Sequence, residues 1–279
     1  SKILMPMLFL LVIVLCIRSL TLPGSMQGLK FFLHPDFSKI TWDVVLKAMG
    51  QAAFSLSIGM GALITYGSYI QKNNRLTGTA FQITIADTAI AFLSGLIVFP
   101  AIFSYGISPT EGPGLAFIVF PAIFAQMPAG GLFAIAFFIL LAVASLTSTI
   151  SVLEVFVAFL AEETRLSRKS ATAVGAISIA VVGVFCTLSF GAMSDVKIMG
   201  KTVFDIFDYS SANILLPLGA LLIVIFTGWF LGRKNVKDEL TNGGVLKGRL
   251  FFLFLFIIRF IAPVVIIIVF LKSLGIINF

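Results

Sequence analysis

The chain has 279 residues, of which 59% are hydrophobic and 11% charged, and its mean hydropathy is +1.12. Soluble domains run at roughly 45–50% apolar and about 25% charged residues, so 30 phenylalanines among so few charges leave no polar coat. A soluble enzyme and a nucleic-acid binder are both excluded, and the net charge of +7 is better understood as a topology signal in a membrane protein.

A membrane-crossing helix needs about 20 mostly apolar residues, and seven stretches supply them: 3–22, 43–70, 78–105, 130–160, 171–192, 203–232 and 248–274. The first apolar run, Ile3 to Ile17, has no small-residue cleavage site and is followed by further spans, which makes it a helix and not a signal peptide. The chain opens on Ser and not Met, so part of a longer protein is expected. The connectors 23–42, 71–77, 106–129, 161–170, 193–202 and 233–247 are polar or rich in Gly and Pro. Within 106–129 the ten residues Leu115 to Phe124 are apolar but too short to span, and are expected to form a short helix over the bundle. Cys16 and Cys186 lie inside apolar runs and are read as small buried hydrophobes, and the single His34 as a loop residue. With residue 1 on the cytoplasmic side, 11 of the 19 Lys and Arg fall on the inner side, seven on the outer side, and Arg259 within the last span.

Four places break the apolar pattern, and polar groups at membrane depth must be satisfied by protein or by a water-filled cavity. The second span reads Gln51-Ala-Ala-Phe54-Ser55-Leu56-Ser57-Ile58-Gly59-Met60-Gly61. Close packing through small residues accounts for the glycines, but their company of Gln51, Ser55 and Ser57 favours a broken helix serving a site. In the third span stands Asp87, where an acid near the bilayer centre costs about 2.5–3.5 kcal/mol and so has a partner or a task. The fourth span carries Ala144-Ser145-Leu146-Thr147-Ser148-Thr149-Ile150-Ser151, whose hydroxyls either bond back to carbonyls one turn earlier or offer hard oxygens to a small cation. Beside the broken span, the cation is favoured. Glu154, nearer the inner end of the same helix, is expected to have a structural role, by pairing or by water contact. Asp205 and Asp208 open the sixth span, either as acids at the positive dipole end or as a gate at a cavity mouth. No phosphate loop, nucleophile–base pair or Cys/His metal spacing occurs, so hydrolysis is not expected.

Together these residues resemble the neurotransmitter:sodium symporters. The likeness rests on Gln51 to Ala62 with Ile64-Thr65-Tyr66-Gly67-Ser68-Tyr69, on Phe117 to Gln126, on Leu146 to Ile150 and on Phe159 to Lys169, and it is similar most of all to the bacterial amino-acid branch. It implies an all-α polytopic membrane protein with the leucine-transporter-type inverted-repeat fold, in which the seven spans here are the family's fifth to eleventh helices and the first four are missing. Residues 1–279 then form one transmembrane domain: 1–22 the last helix of the first repeat, 43–232 the second inverted repeat and 248–274 an additional helix. The absent helices carry, in family members, the first broken helix with part of both sodium sites and the substrate carboxylate contact, so residues 1–279 alone are expected not to transport.

Carried over position by position, the resemblance implies that Phe54 lids the substrate and that Ser55 and Ser57 flank the unwound stretch. Ser55 would bind the sodium nearest the substrate, and Ser57 and Met60 would line the pocket. Asp87 would stand where an Asn sodium ligand is usual, and Ala144 (by its carbonyl), Thr147 and Ser148 would bind a second sodium. Ser148 and Val152 would border the substrate. Asp208 matches an outer gate acid, Tyr69 and Glu162 the cytoplasmic gate, and Gln51 with Asp87 a charge-balancing neighbourhood that is expected to remove any need for chloride. The expected function is sodium-coupled symport of an amino acid or similar small zwitterion by alternating access across the bacterial inner membrane. Its partners would be that substrate, the lipid bilayer and the N-terminal helices of the same protein, with no nucleic acid. The alternative is a channel-like or structural membrane subunit without sodium coupling. A receptor, a third class, is supported by no sensor domain.

Overall fold

The computed structural model describes residues 4–71, 74–106, 117, 120–245, 248 and 251–277. Among these the regular structure is helical, with turns and loops between the helices and one antiparallel bridge between Ile198 and Lys201. In chain order the helices are α1 (Leu4–Leu20), α2 (Ser25–Leu33), α3 (Trp42–Ser55), α4 (Ala62–Tyr69), α5 (Leu76–Ser104) and α6 (Phe120–Gln126). They continue with α7 (Gly130–Glu163), α8 (Arg168–Leu188), α9 (Val203–Phe230), α10 (Arg233–Thr241) and α11 (Phe251–Ser273). Five of them, α5, α7, α8, α9 and α11, are long and apolar enough to cross a membrane, and α1 with α2, bent by 113°, makes a sixth candidate. The second expected span is split into α3 and α4. The fold divides into two compact units, Ser1–Lys39 with Ile83–Thr149 and Ile40–Gln82 with Ile150–Phe279.

The first unit is built around Leu15, Cys16, Leu22, Ile97, Ile102, Phe120, Ile123 and Phe124, all buried. Ile123 and Phe124 put the end of the apolar stretch expected as a short helix over the bundle into this core, whereas residues 107–116, 118 and 119 lie outside the described residues. Connector 23–42, polar in the sequence, contains the helix α2. Nine residues are enough because Phe31 and Phe32 pack on Phe92, Phe99 and Phe103 with ring centroids 5.0–5.4 Å apart. Gly28 admits the approach: a Cβ there would lie 2.3 Å from the Phe99 carbonyl oxygen. The buried hydroxyl of Ser19 donates to the Ile97 carbonyl at 2.6 Å, tying α1 to α5. Arg18, in the last turn of α1, lays its guanidinium 5.5 Å over the Phe133 ring.

In the second unit, prolines explain departures from regular helix. Pro217 lacks an N–H and crowds the carbonyl four residues back, and the preceding residues Ser210–Leu215 widen into a π-helical turn. The released Asn213 carbonyl accepts the Ser273 hydroxyl at 2.9 Å. Pro263 stands in the same relation to the π turn Ile257–Ile261, whose Arg259 donates through Nε to the Gly228 carbonyl at 2.6 Å. That carbonyl lies in a further π turn, Phe226–Phe230, so the arginine in the last span is satisfied by widened backbone. Connector 233–247 likewise holds a helix, α10. Its Val236 is buried with Phe251 and Leu255 while its charges face outward, and such an amphipathic nine-residue stretch gains from tertiary packing what it lacks in length. Lys272 near the end of α11 pairs with Asp43 at the start of α3.

Candidate functional site

The break in the second span is a short unwound turn. Helix α3 ends at Ser55 and α4 begins at Ala62, with Ser57 at φ 54°, Gly59 at φ 93° and Gly61 at φ 80°. Ser57 is the informative one, because a side chain in left-handed backbone is uncommon and is held there only by its surroundings. The Ile58 amide reaches the Ala53 carbonyl at 2.9 Å and the Ser57 amide that of Phe54 at 3.0 Å, and neither bond continues a helical ladder. Phe54, in the last turn of α3 before the break, is 49% exposed. Ser55 is exposed and hydrogen-bonded or otherwise engaged, while Ser57 and Met60 are half-buried. Gln51 stands exposed one turn before Ser55.

The hydroxyl stretch of α7 follows the back-bonding pattern. Thr147 Oγ1 donates to the Ala144 carbonyl and Thr149 Oγ1 to that of Ser145, each at 2.8 Å. The first bond brings together the two oxygens that the sequence resemblance gives to a second sodium. Back-bonding and ion coordination therefore draw on the same local geometry. Ser148 is exposed and Asp87, midway along α5, is half-buried with an interaction of its own. Asp87, Ala144, Thr147 and Ser148 belong to the first unit, and Phe54, Ser55, Ser57, Met60 and the half-exposed Val152 to the second.

In the second unit, α4 and α7 are joined by two polar rungs. Tyr66 Oη donates to Ser151 Oγ at 2.9 Å, and Tyr69 Oη to Glu154 Oε1 at 2.7 Å. Arg168, at the start of α8, forms an ion pair with the same Glu154 oxygen. Of the two structural roles expected for Glu154 the structure shows pairing, and this pairing links three helices. Arg168 was legible in the sequence only as an inner positive charge, because its partner is 14 residues away across a turn capped by Ser167. Glu162, also assigned to the inner gate, is exposed two turns further along α7. At the start of α9, Asp205 completes a capping box with Thr202, which is the dipole-end role. Asp208, one turn on, is exposed, and Lys201 stands 3.6 Å from the centre of the neighbouring Tyr209 ring.

Gly219 of α9 has no counterpart in these expectations. A Cβ on it would lie 2.4 Å from the Gly59 carbonyl oxygen, so α9 touches the break backbone to backbone. The only trace in the sequence is a glycine shortly after a proline in an otherwise apolar run.

Long apolar helices with one span broken around oxygen-bearing residues define a multi-pass helical membrane protein. The profile of the Sodium:neurotransmitter symporter family matches residues 1–278, and the chain belongs to that family. It is 42% identical over its whole length to the sodium-dependent transporter YhdH of Bacillus subtilis, covering 62% of that protein. It is 40% identical to a sodium-dependent transporter of Haemophilus influenzae over 98% of this chain and 59% of the relative. Among solved structures it superposes on MhsT in complex with L-phenylalanine with a TM-score of 0.86 and 43% identity, over 98% of this chain and 62% of that one. The chain thus spans about three fifths of the length of these relatives. The fold is the all-helical one of this transporter class, and the family and its named relatives are transporters and not enzymes.

Proposed function

We propose that the protein of which this chain is part is a sodium-coupled symporter for an amino acid, working by alternating access in the bacterial inner membrane and catalysing no covalent chemistry. The observation that carries this reading is the unwound turn at Ser57–Gly61. A helix broken at membrane depth frees amides and carbonyls that a zwitterion and a cation can use, and such breaks line binding cavities. Support comes from relatives named as sodium-dependent transporters and from a structural neighbour holding L-phenylalanine.

In this reading Ser55, Ser57 and Met60 contact the substrate region, Phe54 closes it from outside, and Ser148 and Val152 border it. Ser55 and Asp87 serve the sodium nearest the substrate; the Ala144 carbonyl, Thr147 and Ser148 serve a second. The donors suit sodium, a hard cation: all are oxygens, and Ala144 and Thr147 already present two of them 2.8 Å apart. Sodium and amino acid are both cargo, and the inward sodium gradient drives uptake because the ion stabilises the substrate-ready arrangement. The part of the relatives' length not covered here supplies the remaining ligands. Asp208 acts at the outer gate, and Tyr69 and Glu162 at the inner one. The test is uptake of radiolabelled L-phenylalanine and other amino acids by the full-length protein in proteoliposomes, with an inward sodium gradient against potassium. Uptake that requires sodium is expected. Uniform leakage of solutes without sodium would overturn the reading in favour of a channel.

A further inference from the structure

The unwound turn does not support itself. Gly59 lies at φ 93°, and a Cβ on it would come within 2.3 Å of the Leu216 carbonyl oxygen and 2.8 Å of the Ala220 amide nitrogen. The approach is reciprocal, since a Cβ on Gly219 would be 2.4 Å from the Gly59 carbonyl oxygen. Both distances are far inside van der Waals contact, and backbone cannot turn aside as a flexible side chain does. A side chain at either position must therefore push α9 and the break apart.

The α9 side of this crossing is itself fixed. Leu216, Pro217 and Ala220 are buried there, whereas Leu218 and Leu222 on the other side are exposed. Pro217 and the π turn before it set the rotation of this segment, and Ser273 of α11 holds the released Asn213 carbonyl. On the break side, Ser57 is two residues before the crossing and Met60 one after it. The strained backbone of Ser57 is thus two residues from the place where the break rests on the backbone of α9.

We infer that Gly219 is a positioning residue for the binding break: its bare Cα is the seat of the turn 56–61 and sets the depth at which Ser57 and Met60 are presented. This rests on the reading of the break as the binding region. Small residues let membrane helices approach closely in general, but here the contact is made to unwound backbone, so its disturbance reaches the site before it reaches the helix bundle.

The test compares the full-length protein with Gly219→Ala, and with Gly183→Ala in α8 as a control whose Cβ has open space around it. Two quantities are read: sodium-dependent binding of L-phenylalanine, and hydrogen–deuterium exchange of the peptide covering 55–62 in the absence of substrate. Gly219→Ala is expected to weaken binding about tenfold or more, the scale of an overpacked contact, and to speed exchange over 55–62 while leaving α8 at parental rates. Gly183→Ala should match the parent in both. Should Gly219→Ala fail to yield monodisperse protein, Pro217→Ala replaces it. That change adds no atom at the crossing but lets the Asn213 carbonyl be bonded within the helix again, and a faster exchange over 55–62 is again expected. Parental exchange over 55–62 in a folded Gly219→Ala protein, or in Pro217→Ala where that is used, overturns the inference. A parent that binds none of the 20 amino acids in sodium defeats the transport reading instead, and the exchange comparison still decides the role of Gly219.

Discussion

Replacing Thr147 or Ser148 by Ala in the full-length protein separates ion binding from folding. The Thr147 hydroxyl bonds one turn back within α7, to the Ala144 carbonyl at 2.8 Å. Losing such a bond costs about 0.5–1.5 kcal/mol net. Alanine returns up to about 0.7 kcal/mol as the better helix former. The folding stability should therefore move by no more than about 1 kcal/mol. A neutral oxygen lost from a cation resembles the loss of a hydrogen bond to a charged group, about 1.5–3 kcal/mol, which is about a ten- to hundredfold loss of apparent sodium affinity. The assay is the sodium concentration for half-maximal uptake in proteoliposomes, beside the thermal midpoint of the purified variants in sodium-free buffer. If both variants keep the parental sodium dependence, the assignment of this stretch to an ion site is wrong, whatever their stability.

Three further outcomes are expected. Asp87→Asn should make uptake depend on chloride, because it removes the fixed negative charge that stands beside the Gln51 neighbourhood in the proposed site; parental uptake that already collapses when gluconate replaces chloride would refute this. Asp208→Asn should slow substrate flux while sodium still raises the thermal midpoint of the detergent-solubilised protein, since Asp208 is exposed near the start of α9 and distant along the chain from the α7 oxygens; equal loss of both signals points to misfolding. Gly28→Ala should lower stability by about 1–3 kcal/mol through overpacking, because its Cβ would meet the Phe99 carbonyl oxygen at 2.3 Å, and an unchanged thermal midpoint would show that α2 is free to lift away from α5.

Much of this protein is written in its composition and periodicity. Water excludes long apolar runs and lipid tolerates only internally bonded backbone, so the positions of the long helices α5, α7, α8, α9 and α11 follow from hydropathy, whereas the stretch 43–70 that hydropathy reads as one span is split into α3 and α4. The break in the second span is equally local: serines and glycines in mid-helix weaken it wherever it is placed, and α3 and α4 stop on either side of Ser57 and Gly59. Asp205 needed only its neighbour Thr202 to become a cap.

What the chain alone could not express are contacts between residues far apart in sequence. Helix α2 is short and reads as a polar connector until the rings of Phe92, Phe99 and Phe103 cover its aromatic side. Arg168 counts as one more inner charge until the turn after α7 returns it to Glu154, where Tyr69 arrives from α4. Gly219 is a featureless position in an apolar run until the fold brings Gly59 against it, because a missing side chain acquires meaning only from the atoms that occupy the space it leaves. Hydrophobicity and local backbone preference act along the chain and can be summed from it. Steric fit and ion pairing act through space, and only the tertiary structure decides which residues share that space.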